Sequence, residues 1–206
     1  EVRHFAAFPS HYLSLVREGD GALDLYHGNL RARDSQGNEI FDQLDYRRYH
    51  EILVEDVRSW SYMKFPYIRS LGAETGWYRV GPLARMNTAS FIDTPRAEAA
   101  RRALIESGDG ISQHAVLANH WARMIELLHS CEKIKELVED PDLQGEDLVV
   151  KGQRRDEYAA ILEAPDQFAV SFYMREGPDS ILRNFVITNS YIGIFVLGTS
   201  PTITNV

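Results

Sequence analysis

Residues 61–87 read "SYMKFPYIRSLGAETGWYRVGPLARMN", and the reading of this stretch decides the reading of the chain. Tyr62, Phe65, Tyr67, Trp77 and Tyr78 stand between Pro66, Gly72, Gly76, Gly81 and Pro82. Lys64, Arg69, Arg79 and Arg85 are threaded among them. Pro66 and Pro82 each remove a backbone donor and the glycines favour turns. The segment is therefore expected to be irregular, neither one helix nor one strand.

Toward the N-terminus, residues 11–44 read as a small antiparallel meander. "HYLSLV" alternates, "EGDG" turns, "ALDLYHGNLRARD" runs on, "SQGN" turns again and "EIFDQL" follows. Gly, Asp and Asn at the breaks supply the backbone angles that tight turns need. Asp45 then reads as a helix N-cap, with Tyr46, Tyr49, Ile52, Leu53 and Val57 at helical spacing over 46–58.

Toward the C-terminus, Pro95 opens a helix over 96–107. The clearest element spans 112–139, capped by Ser112 and stopped by Asp140-Pro141. Leu117, Trp121, Met124, Leu128, Cys131 and Val138 lie on one stripe, which is expected to be the buried face. After an acidic linker, residues 158–190 read as a hairpin turning at Gly177-Pro178-Asp179. The tail 191–206 is β-prone and nearly uncharged. The fold class is α+β. The domain reading is one partial domain over 1–206: meander 1–44, helical core 45–140, hairpin 158–190 and tail.

Length and composition bound the function. The chain has 206 residues, 44% of them hydrophobic and 25% charged, as in ordinary globular domains. A net charge of −8 provides no basic surplus to replace phosphate counterions, which argues against nucleic acid as a partner. The longest apolar run, "YIGIFVLG", is far short of the ~20 residues a membrane helix needs. These features fit a cytoplasmic protein. The single cysteine, Cys131, forms no internal disulfide and no thiolate-rich metal site by itself.

Candidate chemistry is sparse. His114, His120 and His129 share the long helix but are not spaced to stack on one face, and no metalloprotease, phosphate-loop or hydrolase motif occurs. Each histidine reads first as a surface or hydrogen-bonded residue. Asp34, Asp42 and Asp45 sit near turns, where Asp bonds its own backbone. Arg79 and Arg85 each sit beside a Gly-Pro break, and a guanidinium fork suits carboxylates or carbonyls. The competing reading is an exposed salt bridge.

"YMKFPY" and "GWYRVGPLARMN" resemble a signature segment of the large subunit of nickel–iron hydrogenases, in the cytoplasmic group that couples hydrogen to NAD or a related soluble electron carrier. "HWARMIELLHSCEKIKELVEDPDL" is similar to that family's long central helix, and "ILEAP" at 161–165 to the start of its E-A-P-R-G motif. The resemblance implies part of the large-subunit fold, reversible hydrogen oxidation, and a nickel–iron centre held by four cysteines. It implies two partners: a small subunit with iron–sulfur clusters, and diaphorase subunits. It also makes the aromatics of 61–87 core residues, and gives Lys64, Trp77, Tyr78, Arg79, Arg85, His120 and Trp121 structural or interface roles.

The departures are specific. Neither cysteine pair is present, and Glu163-Ala164-Pro165 is followed by Asp166 where the family has arginine. The chain is therefore expected to be an internal fragment or a degenerate relative, inactive and without a metal centre by itself. The alternative is a metal-free scaffold or subunit-interaction protein related to hydrogenase and complex I subunits.

Overall fold

The computed structural model describes residues 6–146, 149 and 151–152, together with the backbone of strands at 157–163, 169–175, 181–183 and 202–204. Contacts gather into two units, where the sequence reading treats 1–206 as one partial domain. The first comprises Glu1–Asp45 and Tyr78–Lys151; the second comprises Tyr46–Trp77 and Gly152–Val206.

The first unit is built on a four-stranded sheet. Strands β1 (His11–Val16), β2 (Asn29–Arg33) and β3 (Glu39–Leu44) form the expected antiparallel meander. A two-residue strand, β6 (Tyr78–Arg79), adds to the free edge of β1 in parallel, giving the order β3-β2-β1-β6. The run from residue 21 does not extend straight into β2, because Asp24 Oδ1 accepts the amides of Tyr26 and His27 and turns the chain.

Helix α3 (Pro82–Thr88) packs on this sheet, and α4 (Pro95–Glu106) and α5 (Ala118–Val138) pack against α3 and each other. Gly81 has φ +89° and Pro82 follows at the first helical position, so the "GP" of the opening stretch starts a helix. Every residue of α3 is buried. Its Leu83 and Met86 meet Leu23, Ile92, Ala97, Leu104, Ala122 and Ile125 in one core. Thr94 precedes α4 without a side-chain cap; Glu132 of α5 takes over, accepting from the amides of Arg96 and Ala97.

Helix α5 corrects the sequence reading twice. It starts at Ala118, and Ser112 is buried upstream with its amide held by Asp109 Oδ1. Its buried residues are Ala122, Ile125 and His129, with Ala118 and Leu128 packed beside them. Leu117, Trp121, Met124, Cys131 and Val138 of the expected stripe are exposed. The alanines let the helix approach the core closely, so the small-residue face turns inward.

In the second unit, a 3₁₀ turn at Tyr46–Arg48 leads into α1 (Tyr49–Ile52), which ends where a helix to residue 58 was expected. Leu53–Val57 is instead β4, paired antiparallel with β5 (Lys64–Ile68). Valines at 54 and 57 suit a strand, and the pairing decides between the two periods. The stretch 61–87 is thus regular for most of its length: β5, a 3₁₀ turn at Arg69–Leu71, α2 (Gly72–Thr75), β6 and α3. Its aromatics do not all fill a core, since Tyr62 is 91% and Trp77 58% exposed. Tyr62 lies in the connection between β4 and β5 and Trp77 follows α2, so neither is carried by a strand.

A second sheet runs β10-β9-β8-β7, from β7 (Glu157–Glu163), β8 (Ala169–Arg175), β9 (Ile181–Arg183) and β10 (Thr202–Thr204). β7 and β9 both pair antiparallel with β8, so the region holds two successive antiparallel connections rather than the one expected hairpin. β10 pairs parallel with β9 and places part of the tail in the sheet. The turn at 177–179 and the rest of 191–206 lie outside the described residues.

Candidate functional site

One buried charged pair joins α3 to α5. Arg85 projects from α3 and makes a two-pronged bond to Glu126 of α5, Nε to Oε1 at 2.5 Å and Nη2 to Oε2 at 3.1 Å. Their side chains are only 6% and 12% exposed. The reading of Arg85 as one side of an exposed salt bridge therefore gives way to a buried pair between helices.

Arg79 occupies a different setting. It leaves β6, donates from Nη1 to the carbonyl of His114 at 2.9 Å, and stacks its guanidinium 3.6 Å from the Phe8 ring centre. Burial pushes its pKa below the ordinary arginine value, although a nearby Tyr12 opposes the shift. Tyr12 is fully buried in the neighbouring strand, and burial pushes its phenol up to about 12, against the lowering field of Arg79. Its hydroxyl meets His114 Nδ1 at 2.5 Å, the two rings stack, and Asp109 lies 3.7 Å from His114 Nε2. His114 precedes α5 and is held by β1, not by the helix.

Two further clusters escaped the sequence reading. Arg31 is 4% exposed, bonded to both oxygens of Asp42 and to Thr88 O and Ser90 Oγ. The Arg31 bond is the main reason the Asp42 carboxyl sits below its usual range, so Asp42 is more than a turn residue. Gly21 has φ +70°, and a Cβ there would lie 2.5 Å from an Arg31 nitrogen, so glycine is needed at that position. Asp93 joins Arg17 at 2.7 Å and Lys133 at 3.1 Å, and stands 3.9 Å from His129. Burial would raise the Asp93 carboxyl, but the bonds from Arg17 and Lys133 outweigh it and hold it low. His129 shares a 2.9 Å bond with Thr94 Oγ1, and burial depresses its pKa. The signal for the second cluster was Asp93, an isolated charge in an apolar run; Arg31, beside Arg33 and Asp34, carried no such signal.

The other expected residues do not converge. Lys64 pairs with Glu55 within the β4–β5 ribbon. Trp77 donates its indole N–H to Ala73 O at 2.6 Å, and Tyr78 lies in β6. His120 and Trp121 are exposed on α5. Glu163 ends β7; Ala164, Pro165 and Asp166 lie outside the described residues. Among the described residues no three His, Cys, Asp or Glu side chains are grouped to hold a metal. The one cysteine, Cys131, is exposed, so the donor set does not fit a nickel–iron centre held by thiolates. Among the described residues, no helix is long and apolar enough to cross a membrane.

Known proteins resemble this chain in sequence and in fold. No family model matches the chain. It is 43% identical over 150 residues to the beta subunit of the NAD-reducing hydrogenase HoxS of Cupriavidus necator, covering 73% of this chain and 30% of that protein. It is 34% identical over 170 residues to an iron-sulfur subunit of the F420-non-reducing hydrogenase of Archaeoglobus profundus, covering 79% of this chain and 34% of that one. In solved structures it matches a polypeptide from an NAD+-reducing [NiFe]-hydrogenase in the H2-reduced state, with TM-score 0.77 and 41% identity over 85% of this chain and 39% of that polypeptide. The chain spans about a third of the length of these curated relatives. These findings correct the large-subunit assignment: one relative is named a beta subunit and the other an iron-sulfur subunit, and neither is named a large subunit. The quoted motifs mark one shared segment, which is too little to fix the type of subunit. The metal-free scaffold related to complex I subunits has no support among these relatives either. The chain is similar, in sequence and in fold, to subunits of NAD-reducing and F420-non-reducing hydrogenases.

Proposed function

We propose that the chain is a segment of a hydrogenase subunit, working in a multi-subunit oxidoreductase that takes electrons from hydrogen and delivers them to NAD. One observation carries this reading: 43% identity to the beta subunit of HoxS over 150 residues, with a fold match at TM-score 0.77. The acceptor follows from the two relatives whose names say NAD-reducing. The partners are other hydrogenase subunits, among them a diaphorase module that meets NAD. Any nickel–iron centre of the assembly draws its thiolates from outside these residues, since the chain brings one cysteine. What the segment supplies is a rigid frame: α3 and α5 are tied by the Arg85–Glu126 pair, and α3 lies on the sheet.

The test is co-isolation. The polypeptide carrying this chain, tagged and recovered without oxygen from its own cells, is expected to bring with it subunits bearing iron–sulfur clusters and flavin. Recovery of the polypeptide alone, or with proteins of unrelated chemistry, would remove the proposal.

A further inference from the structure

Two arginines flank Tyr12 on one face of the first sheet. Tyr12 is paired with Arg33 across β2 and with Arg79 across β6. Paired residues project to the same side, and with strands about 4.8 Å apart the two arginine α-carbons stand roughly 10 Å from each other. Both guanidinium groups are tied to one roof. Arg33 Nη1 donates to Asn87 O at 3.4 Å and Arg79 Nη1 to His114 O at 2.9 Å. Asn87 in turn holds the main chain of Gln113 from both ends of its amide, at 2.9 and 3.0 Å.

Each arginine keeps a buried donor that has no acceptor among the described residues, Nε on Arg33 and Nη2 on Arg79. Orphaned buried donors are rare in folded proteins, and two on one sheet face call for a shared explanation. The charge is also unbalanced. Arg33 has Glu39 at 3.2 Å, whereas Arg79 makes no ion pair among the described residues. Tyr12 cannot balance it, because a phenol pushed up to about 12 stays protonated at neutral pH. The missing partner must accept hydrogen bonds only, carry negative charge, and be small enough to enter beside Phe8, a residue 51% exposed. A carboxylate meets these conditions.

We propose that Arg33, Tyr12 and Arg79 floor a carboxylate-binding site, in which Arg79 Nη2 is the anchor and Arg33 Nε the second donor. The carboxylate comes either from a small free acid or from an Asp or Glu side chain laid over the Phe8 side. This site goes beyond the hydrogenase reading and stands or falls independently of it.

Nitrogen-15 NMR of the arginine Nε–H groups tests the site. Acetate is titrated into the chain at constant ionic strength, with chloride as the reference anion. The Arg33 and Arg79 signals are expected to move together and saturate with acetate, while the signal of Arg102, 71% exposed, follows ionic strength alone. Arg79→Gln should reduce the Arg33 response at least fivefold, and Arg33→Gln should weaken the Arg79 response while leaving it saturable. If acetate has no effect, but both signals are displaced in the polypeptide extended to the length of its relatives, the carboxylate is an acidic side chain and the site stands. Signals indifferent to acetate and identical in the extended polypeptide would overturn it.

Discussion

Arg85 and Glu126 show how much a single pair can decide. A two-pronged pair this deeply buried gains little over an apolar pair of the same shape, yet breaking it strands a charge. Arg85→Met should therefore cost about 3–5 kcal/mol of stability, read from urea unfolding. The double change Arg85→Met with Glu126→Leu should recover most of that loss. His129 supplies a pH test. Its folded pKa lies below the 6.5 of the free side chain because burial disfavours the charged ring; Asp93 opposes this and Lys133 reinforces it. A depressed pKa means the unfolded chain binds the proton more readily. The stabilisation is then complete above about pH 6.5 and lost as pH falls through the folded value. Between pH 7 and 5 the urea midpoint should drop, and His129→Gln should flatten that part of the profile.

Among the elements, α5 shows what was legible and what was not. Apolar spacing located the helix, and Asp140-Pro141 located its end, because both are local signals. The choice of buried face was not local. The helix carries two candidate stripes, one of large side chains around Trp121 and Met124 and one of Ala118, Ala122, Ile125 and His129. Only the partner helices, which leave room for alanine, select the second. Ile125→Ala should accordingly cost about 2–5 kcal/mol. Trp121→Ala, at a residue 42% exposed, should cost less than half of the Ile125→Ala loss in the same assay. The same reasoning explains Leu53–Val57, where helical spacing and strand pairing competed and the facing strand Lys64–Ile68 won. Turn and cap chemistry was legible in part: Pro95 opens its helix as its fixed backbone angle favours, whereas Pro82, expected to break regular structure, opens α3, and Ser112 caps no helix.

At the scale of the whole molecule, the meander and the helical layers were readable and the division into two units was not, because each unit joins segments far apart in sequence. The candidate site was half legible. Arg79 and Arg85 stood out by their neighbours, but Arg33, Arg31 and Asp93 acquire meaning only from the strands and helices that surround them. The exposed stripe of α5 has a consequence in solution. Apolar patches of this kind mark contact surfaces, and the charge of −8 is screened beyond ~8 Å at physiological salt. The isolated chain should self-associate at high concentration, and Trp121→Glu with Met124→Glu should shift it toward monomer in sedimentation experiments.

Membership of a working hydrogenase is the central claim, and hydrogen-dependent reduction of NAD tests it most directly. The complex recovered through a tag on this polypeptide, assayed without oxygen under hydrogen and then under nitrogen, should form NADH only under hydrogen, and deleting the coding segment for this chain should abolish it. Equal rates under the two gases, from a complex whose subunits are intact, would contradict the account.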